Sequence, residues 1–233
     1  MSDHPVEASF VSRSHAFATV AACFTVVALL GVGVLTRFAP QMDLDGAVSE
    51  AMYAGDDRAV SLDGLLRVLT EPGVTLFRVA VFLPVVVVLL VRRALLTAAW
   101  VATPVLTIGP LNTLLKETFG RVRPDFDEGG ARLDSLSYPS GHSSGIATLA
   151  TVGLLLLVPL VTRRVLRHVV VVLGVALVLL VGLTRMWLGV HYLSDVVGGW
   201  SLGIGWSLLV TTVLGGLPGD RAALPAPERA GAP

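Results

Sequence analysis

Lysine is almost absent from this chain: Lys116 is the one lysine, and arginine supplies every other basic residue among the 17. Cysteine is equally scarce, and the lone Cys23 excludes an intrachain disulfide or a metal site built from several thiolates. The basic residues balance 17 acidic ones, so a formal net charge of zero gives no basis for nucleic-acid binding. The scarcity of lysine indicates that position 116 needs a compact ammonium rather than the planar guanidinium of arginine.

Long apolar runs dominate what is present. Apolar residues occupy 54% of the 233 positions and the mean hydropathy is +0.77, which indicates a membrane protein. Because a helix needs about 20 mainly apolar residues to cross a bilayer, the sequence predicts an all-α, polytopic membrane protein with six transmembrane helices. The predicted spans lie near residues 16–36, 73–91, 94–115, 143–161, 168–187 and 195–215.

These spans divide the chain into three parts. Residues 1–15 are expected to form a cytoplasmic N-terminal segment, and residues 16–215 the membrane domain. Residues 216–233 are rich in proline, alanine and glycine and are expected to be disordered. Within the connection between the first two spans, the pattern of residues 59–70 is typical of an amphipathic helix at the membrane interface.

Arginines in short loops predict the orientation of the chain in the cell membrane. The loops after the second and fourth spans carry arginines and no acidic residue, so both loops and both termini are expected in the cytoplasm. These arginines are Arg92, Arg93, Arg163, Arg164 and Arg167. The stretches 37–72, 116–142 and 188–194 then face the periplasm or the cell exterior. The first of them is acidic, Asp45 included, which suits an outward face.

The first polar cluster follows the third span. Lys116 and Arg123 are seven residues apart, nearly two helical turns, and Gly120 indicates that the helix ends between them. Both cations can then reach one anion at the membrane surface, and we expect them to bind the substrate. Arg121 points in another direction and is interpreted as a residue that extends from the helix end toward the interface.

The second cluster opens the fourth span with the sequence Pro-Ser-Gly-His. Ser140 is a candidate N-cap, and Gly141 allows a ligand to approach the backbone closely. The free N–H groups of the first helical turn form an anion site, so Ser140 and Gly141 are candidate substrate-binding residues. His142 lies in the same turn, where its ring can donate a proton to a bound oxygen.

The third cluster closes the fifth span and opens the sixth. His191 and Asp195 are four residues apart, which places them on one face of a helix. A carboxylate bonded to one ring nitrogen leaves the other nitrogen free as a nucleophile and stabilises the imidazolium that forms. Arg185 adds a third cation, and ionisable residues at membrane spans are functional by default.

Together the clusters predict phosphoryl transfer at the outer face of the cell membrane. Lys116, Arg123 and Arg185 would neutralise the phosphate oxygens. His191 would attack phosphorus to give a phosphohistidine, and His142 would protonate the leaving oxygen. His191 must then be neutral while His142 is protonated, which predicts a bell-shaped pH dependence of kcat/KM.

In these residues the chain resembles the type 2 phosphatidic acid phosphatase (PAP2) superfamily, which includes membrane lipid phosphatases and vanadium haloperoxidases. The family pattern is Lys-x6-Arg-Pro, then Pro-Ser-Gly-His, then Ser-Arg-x5-His-x3-Asp. The sequence matches it throughout, except that Thr184 replaces the first serine of the third motif. The resemblance implies a PAP2/haloperoxidase-like helical bundle and catalysis without a metal or other cofactor. It also implies a lipid phosphate substrate that is held in the bilayer.

Phosphatidic acid, phosphatidylglycerol phosphate and undecaprenyl diphosphate are the substrates that the resemblance leaves open, and the oligomeric state is not indicated. Three other functions would use the same residues. A phosphotransferase would pass the group from the same phosphohistidine to another lipid or a sugar. A non-catalytic lipid-phosphate binder or transporter would explain the cations but not the pairing of His191 with Asp195. A metal site at His142, His191 and Asp195 has suitable ligands, but the three cations would repel the ion.

Overall fold

The structure is a computed structural model that describes residues 12–55, 58–126, 135–217 and 220–223. The longer regular elements within these ranges are α-helices, which confirms the all-α prediction. Their bounds are α1 Arg13–Leu35, α2 Ala39–Met52, α3 Val60–Thr70, α4 Thr75–Val91, α5 Leu95–Phe119, α6 Gly141–Leu157, α7 Arg164–Trp187 and α8 Leu193–Val213. Two short 3-10 turns, Glu71–Gly73 and Val158–Leu160, precede α4 and follow α6.

The helices account for the predicted membrane spans. Five of them are long and apolar enough to cross a bilayer by themselves: α1, α5, α6 with the turn that follows it, α7 and α8. The sixth span is a bent pair, because α4 has 17 residues and qualifies together with Val60–Gly73, from which it is bent by 44°. The chain is therefore a multi-pass membrane protein, with five or six spans among the residues that the structure describes. The predicted helix at 59–70 is α3, which packs against α7.

α6 and α8 form the centre of the bundle, with α1 packed on α8 and α7 packed on α6. Glycines on α8 make this close contact possible. A β-carbon at Gly203 would lie 2.8 Å from the Ala147 β-carbon, and one at Gly199 would lie 2.8 Å from the Ser143 β-carbon. Small residues of this kind let the backbones of membrane helices approach each other. The contact places the start of α8 beside the start of α6.

Helix ends are placed by specific residues. α5 remains helical through Pro104 and Pro110 and ends at Gly120, whose φ of 61° is the left-handed conformation that glycine adopts at helix C-termini. α6 begins at Gly141 after Ser140, whose hydroxyl accepts a hydrogen bond from Ser143 N as the predicted N-cap. These two ends bring the first and second sequence clusters to the same end of the bundle.

The C-terminal segment differs from the expected disordered tail in its described part. Leu217 and Ala222 are buried, and the Ala222 carbonyl accepts hydrogen bonds from Thr97 Oγ1 at 2.8 Å and Trp100 Nε1 at 3.0 Å. Ala222 therefore lies against the beginning of α5, where its carbonyl supplies the acceptor that the buried Trp100 indole N–H needs. Residues 218–219 and 224–233 lie outside the described residues. So do residues 1–11 of the predicted N-terminal segment, and α1 begins at Arg13.

Candidate active site

The predicted site residues lie at the ends of four helices on one side of the bundle. They are Lys116 in the last turn of α5, Arg123 in the loop after it, Ser140, Gly141 and His142 at the start of α6, Arg185 in the last turn of α7, His191 in the α7–α8 turn, and Asp195 in the first turn of α8. The backbone N–H of Ser140 donates to the Asp195 carbonyl at 2.9 Å, which joins the second cluster to the third. Gly189, with a φ of 69°, reverses the chain between α7 and α8.

His191 is held between a carboxylate and a guanidinium. Its Nδ1 lies 3.3 Å from Asp195 Oδ2, and its Nε2 lies 3.0 Å from Arg123 Nη1. An arginine has N–H donors and no acceptor, so Nε2 must carry the lone pair and Nδ1 the proton. This is the tautomer that a nucleophilic Nε2 requires.

The surroundings of His191 keep its ring neutral. Only 1% of its surface is exposed. Burial lowers the pKa of His191 to about 3, and this effect outweighs the hydrogen bond that Nδ1–H donates to Asp195, which acts in the opposite direction. Burial also lowers the pKa of the Arg123 guanidinium below its usual range, while the charge of Asp195 opposes that shift. The neutral imidazole agrees with the state expected of the nucleophile.

Asp195 is satisfied on both carboxylate oxygens. Arg121 Nη1 donates to Oδ1 at 2.8 Å, while the backbone N–H of Tyr192 donates to Oδ2 at 2.9 Å and the Ser137 hydroxyl also donates to Oδ2. The carboxylate is completely buried. Because these donors hold the carboxylate in one orientation, the carboxylate in turn fixes the orientation of the His191 ring.

The interpretation of Arg121 is wrong, and its partner Asp45 is a site residue that the sequence does not indicate. Arg121 does not extend to the membrane interface: its guanidinium is buried, bridges Asp195 and Asp45, and stacks 4.0 Å above the Tyr192 ring. Asp45 in α2 is not on a solvated surface, because it accepts hydrogen bonds from Arg121 Nη2 at 2.7 Å and from the Ser194 N–H at 2.9 Å. The signal that was available is that a buried carboxylate such as Asp195 needs a cation partner.

Lys116 and Arg123 both donate hydrogen bonds to the loop that precedes α6. Lys116 Nζ donates to the carbonyls of Leu136 and Ser137. Arg123 donates to Ser135 through Nε and Nη2, and to the Val190 carbonyl through Nη1 at 2.6 Å. Because Ser137 also bonds to Asp195, these contacts connect the first cluster to the third.

Two donors at the site have no partner among the described residues. Arg185 Nη1 donates to Thr70 Oγ1 at 3.3 Å, but its Nε is buried without an acceptor. The ring of His142 makes no hydrogen bond within the described part of the chain, although it is partly exposed. Buried donors such as Arg185 Nε are rarely left unpaired, so an oxygen-rich ligand beside Arg185 and the first turn of α6 would satisfy that nitrogen. Thr184, the residue that departs from the family motif, donates to the Val181 carbonyl of its own helix.

The arrangement is that of an anion site with a nucleophile. In the part of the chain that the structure describes, no group of three or more His, Cys, Asp or Glu side chains is arranged to hold a metal ion. The alternative metal site at His142, His191 and Asp195 therefore has no ligand geometry to support it. Asp195 is instead committed to Arg121 and His191.

Comparisons with known proteins place these residues in a family. Residues 94–217 match the PAP2 superfamily model, a range that contains every candidate site residue. The chain is 40% identical over 97 residues to phosphatidylglycerophosphatase B of Bacillus subtilis, covering 40% of this chain and 46% of that protein. It is 34% identical over 125 residues to a lipid A 1-phosphatase of Rhizobium etli, covering 50% and 49%. The chain spans about half the length of these curated relatives.

A solved structure has the same architecture. It is that of a transmembrane PAP2-type phosphatidylglycerolphosphate phosphatase from Bacillus subtilis, with a TM-score of 0.64 and 28% identity. The superposition covers 83% of this chain and 94% of that one. The likeness therefore extends beyond the motifs to nearly the whole helical bundle. With the family model matched over more than half of its length, this chain belongs to the PAP2 superfamily.

Proposed function

We propose that this protein is a metal-independent phosphatase that removes a terminal phosphoryl group from a lipid phosphate through a phosphohistidine on His191. The observation that carries the proposal is the state of that residue: a buried, neutral imidazole whose Nε2 lone pair faces a cation and whose Nδ1–H faces a carboxylate. The names of both curated relatives describe phosphatases.

In the first step, the Nε2 lone pair of His191 forms a bond to phosphorus as the bond from phosphorus to the leaving oxygen breaks. The electron pair of the broken bond stays on the leaving oxygen, which takes a proton from His142. His191 becomes positively charged as it is phosphorylated, and Asp195 stabilises that charge through Nδ1–H. The lipid leaves as an alcohol, or as a lipid monophosphate if the substrate is a diphosphate.

In the second step, water attacks the phosphohistidine. The oxygen of the water bonds to phosphorus, the bond from phosphorus to Nε2 breaks, and its electron pair restores the lone pair of His191. The neutral ring of His142 accepts the proton of the water and is ready for the next turnover. The products are inorganic phosphate and the unmodified enzyme.

Fixed positive charge supports both steps. Arg123 Nη1 lies 3.0 Å from Nε2. Lys116 and Arg185 lie in the last turns of α5 and α7, on the same side of the bundle, and the N–H groups of Gly141 and His142 begin α6. These donors would hold the equatorial oxygens, where negative charge collects in phosphoryl transfer. The unpaired Nε of Arg185 is one donor already available for this purpose.

The proposed substrates are those of the sequence interpretation: phosphatidic acid, phosphatidylglycerol phosphate or undecaprenyl diphosphate. We place the phosphate at the periplasmic or extracellular face, because the candidate site lies at the opposite end of the bundle from the arginines that follow α4 and precede α7. A lipid tail would remain in the bilayer while the phosphate reaches the site.

The test is phosphate release by purified protein in detergent with excess chelator, using a panel of lipid mono- and diphosphates. Wild-type protein should release phosphate, and His191→Ala should lose activity by roughly 1,000-fold or more, because no other group can replace the nucleophile. His168→Ala is a matched control on the exposed surface of α7 and should retain activity.

Three outcomes would contradict the proposal. Activity that disappears with chelator would favour a metal centre. Release that requires an added lipid or sugar acceptor would favour a phosphotransferase. Binding of lipid phosphates without turnover, by protein whose unfolding is still cooperative, would favour a binding protein. A radiolabelled phosphoryl group that is trapped on wild-type protein but not on His191→Ala would identify the intermediate directly.

A further inference from the structure

Arg78 is a buried cation that the proposed chemistry does not use. It lies in the first turn of α4, and only 1% of its surface is exposed. Among the residues described, no carboxylate lies within 4.0 Å of its guanidinium. A charged group inside a membrane domain is costly unless it has a partner, and such residues commonly mark the path of an ion or substrate.

The hydrogen bonds of Arg78 leave donors unused. Nε donates to the Val105 carbonyl at 3.0 Å, and Nη2 donates weakly to Thr75 Oγ1 at 3.4 Å. A guanidinium has five N–H donors, and Nη1 donates to none of the residues that the structure describes. The side chain is thus held in place by α5 while one of its nitrogens remains available.

Arg78 lines a cavity of about 300 Å³ between α4, α5 and the start of α6. This volume is at the lower end of the range found for small-molecule sites. Asn112, Thr75, Gly141 and His142 also line it. Lys116, Arg123, Arg185 and His191 do not. The cavity therefore meets the candidate active site at His142 and extends away from the nucleophile.

Two glycines bring Arg78 close to the turn that carries His142. A β-carbon on Gly145 would lie 2.7 Å from Arg78 Nη1, and a β-carbon on Gly73 would lie 2.9 Å from the His142 β-carbon. Gly145 follows His142 by three residues, so Nη1 lies about one helical turn from it along α6. The free nitrogen of Arg78 and the ring of His142 thus belong to one compact region.

We propose that this cavity is the leaving-group subsite and that Arg78 selects lipid phosphates whose leaving group carries a second phosphate. The inference rests on the proposed function, in which His142 protonates the leaving oxygen. In an in-line displacement the leaving group departs on the side opposite to His191 Nε2. The cavity is lined by His142 and not by His191, so it can accept that group. In a lipid diphosphate, the bond that breaks joins the terminal phosphorus to the bridging oxygen. The departing lipid monophosphate takes the proton from His142 and keeps a negative charge beside Arg78.

This chemistry separates two classes of substrate. Lipid diphosphates and phosphatidylglycerol phosphate both leave an anionic group, next to the bridging oxygen in the first and beyond a glycerol in the second. Phosphatidic acid and prenyl monophosphates leave a neutral alcohol, which gives Arg78 no charge to bind. A cation that faces a neutral leaving group would stay unpaired, so the subsite favours the first class.

The experiment compares farnesyl diphosphate with farnesyl monophosphate, and phosphatidylglycerol phosphate with phosphatidic acid. Arg78→Gln should lower kcat/KM for the member with the anionic leaving group by about 10- to 100-fold relative to its partner, as expected for a charged hydrogen bond. The pair of substrates with the larger relative loss would show whether the second phosphate binds next to the bridging oxygen or beyond a glycerol. Arg78→Lys should retain most of the selectivity. Arg92→Gln, which removes a cation from the other end of α4, is the matched control.

An equal loss on both members of each pair would overturn the inference and leave Arg78 as a tie between α4 and α5. A second measurement covers the case in which Arg78→Gln fails to fold. In His191→Ala protein, farnesyl methylenediphosphonate should raise the Tm more than farnesyl phosphonate does, and equal shifts would reject the subsite. This binding readout needs no turnover, whereas loss of phosphate release in His191→Ala tests the phosphatase itself, so failure of either idea can be distinguished.

Discussion

Arg123 contacts the nucleophile as well as the backbone. In the structure its Nη1 lies 3.0 Å from the Nε2 lone pair of His191 and 2.6 Å from the Val190 carbonyl. The same guanidinium is proposed to bind the phosphate that His191 attacks. A substrate must therefore draw Arg123 off Nε2 as it enters, which replaces a hydrogen bond to a neutral ring with a stronger one to a phosphate oxygen.

The buried His191 should make the stability of the protein depend on pH. Its pKa falls from the ordinary 6.5 to about 3 on folding because burial disfavours the charged ring. Between these values the unfolded chain binds a proton that the folded chain does not, so stability is lost as the pH falls from about 6.5 toward 3. The expected slope is at most about 1.4 kcal/mol per pH unit. Thermal unfolding in detergent from pH 7 to pH 4 would measure it.

His191→Asn should reduce that slope, since asparagine does not titrate and the contribution of His191 is lost. His168→Asn removes an exposed histidine and should keep the wild-type slope. Equal slopes in wild-type and His191→Asn protein would show that another group controls the acid sensitivity.

At the scale of residues, the sequence predicts local spacings well and distant pairings poorly. The separation of His191 from Asp195 is four residues, so one helical turn is enough to infer their contact. Arg121 and Asp45 are 76 residues apart, and no periodic pattern relates them. Asp45 looks like any other acidic residue of a polar connection until α2 is folded against α8. Its burial is a property of the tertiary structure and not of the neighbouring sequence.

At the scale of helices, α8 depends on glycine to reach α6. Gly203 faces the backbone of α6 near Ala147, one helical turn below the residues of the Pro-Ser-Gly-His motif. Since the hydrogen bond from Ser140 N to the Asp195 carbonyl spans the same pair of helices, the separation of α6 from α8 also fixes the position of His142 relative to His191. The interface between two helices thus controls the geometry of the site.

Two alanine substitutions on the same pair of helices would test this interface. Gly203→Ala would place a β-carbon 2.8 Å from that of Ala147, and overpacking of this kind costs about 1 to 3 kcal/mol. Gly153→Ala on α6 meets nothing within 4 Å and should stabilise the helix by roughly 0.5 to 1 kcal/mol. The Tm and the rate of phosphate release should fall for Gly203→Ala and not for Gly153→Ala. Tm shifts of the same sign in both variants would mean that helix propensity, not packing, decides the stability.

Helix positions were predictable because apolar runs set them, while their irregular ends were not. The run before Arg92 predicts a span at 73–91, but α4 is only 17 residues long, and a bend of 44° separates it from α3. Hydropathy averages along the chain and does not report such a bend. The burial of Ala222 was missed for a related reason, because its packing depends on one carbonyl that the Trp100 indole needs.

At the scale of the whole molecule, the proposed orientation can be tested with single cysteines. Cys23 is the one natural cysteine, so Cys23→Ser gives a cysteine-free background. Asp43→Cys in α2 and Thr162→Cys before α7 replace exposed residues at opposite ends of the bundle. In intact cells, a membrane-impermeant maleimide should label the cysteine at position 43. It should reach position 162 only after permeabilisation. The reverse pattern would place the candidate site in the cytoplasm.

The single lysine gives the candidate site a unique position for covalent labelling. Lys116 holds the one side-chain amine of the chain, and the carbonyls of Leu136 and Ser137 fix it within the candidate site. An acylating probe that carries a lipid tail thus has one side-chain target. A probe found attached to a lysine must be on Lys116, next to the proposed binding position of the substrate phosphate. A lipid phosphate that blocks the labelling would report its own occupancy without turnover, an assay that a surface rich in lysine would not permit.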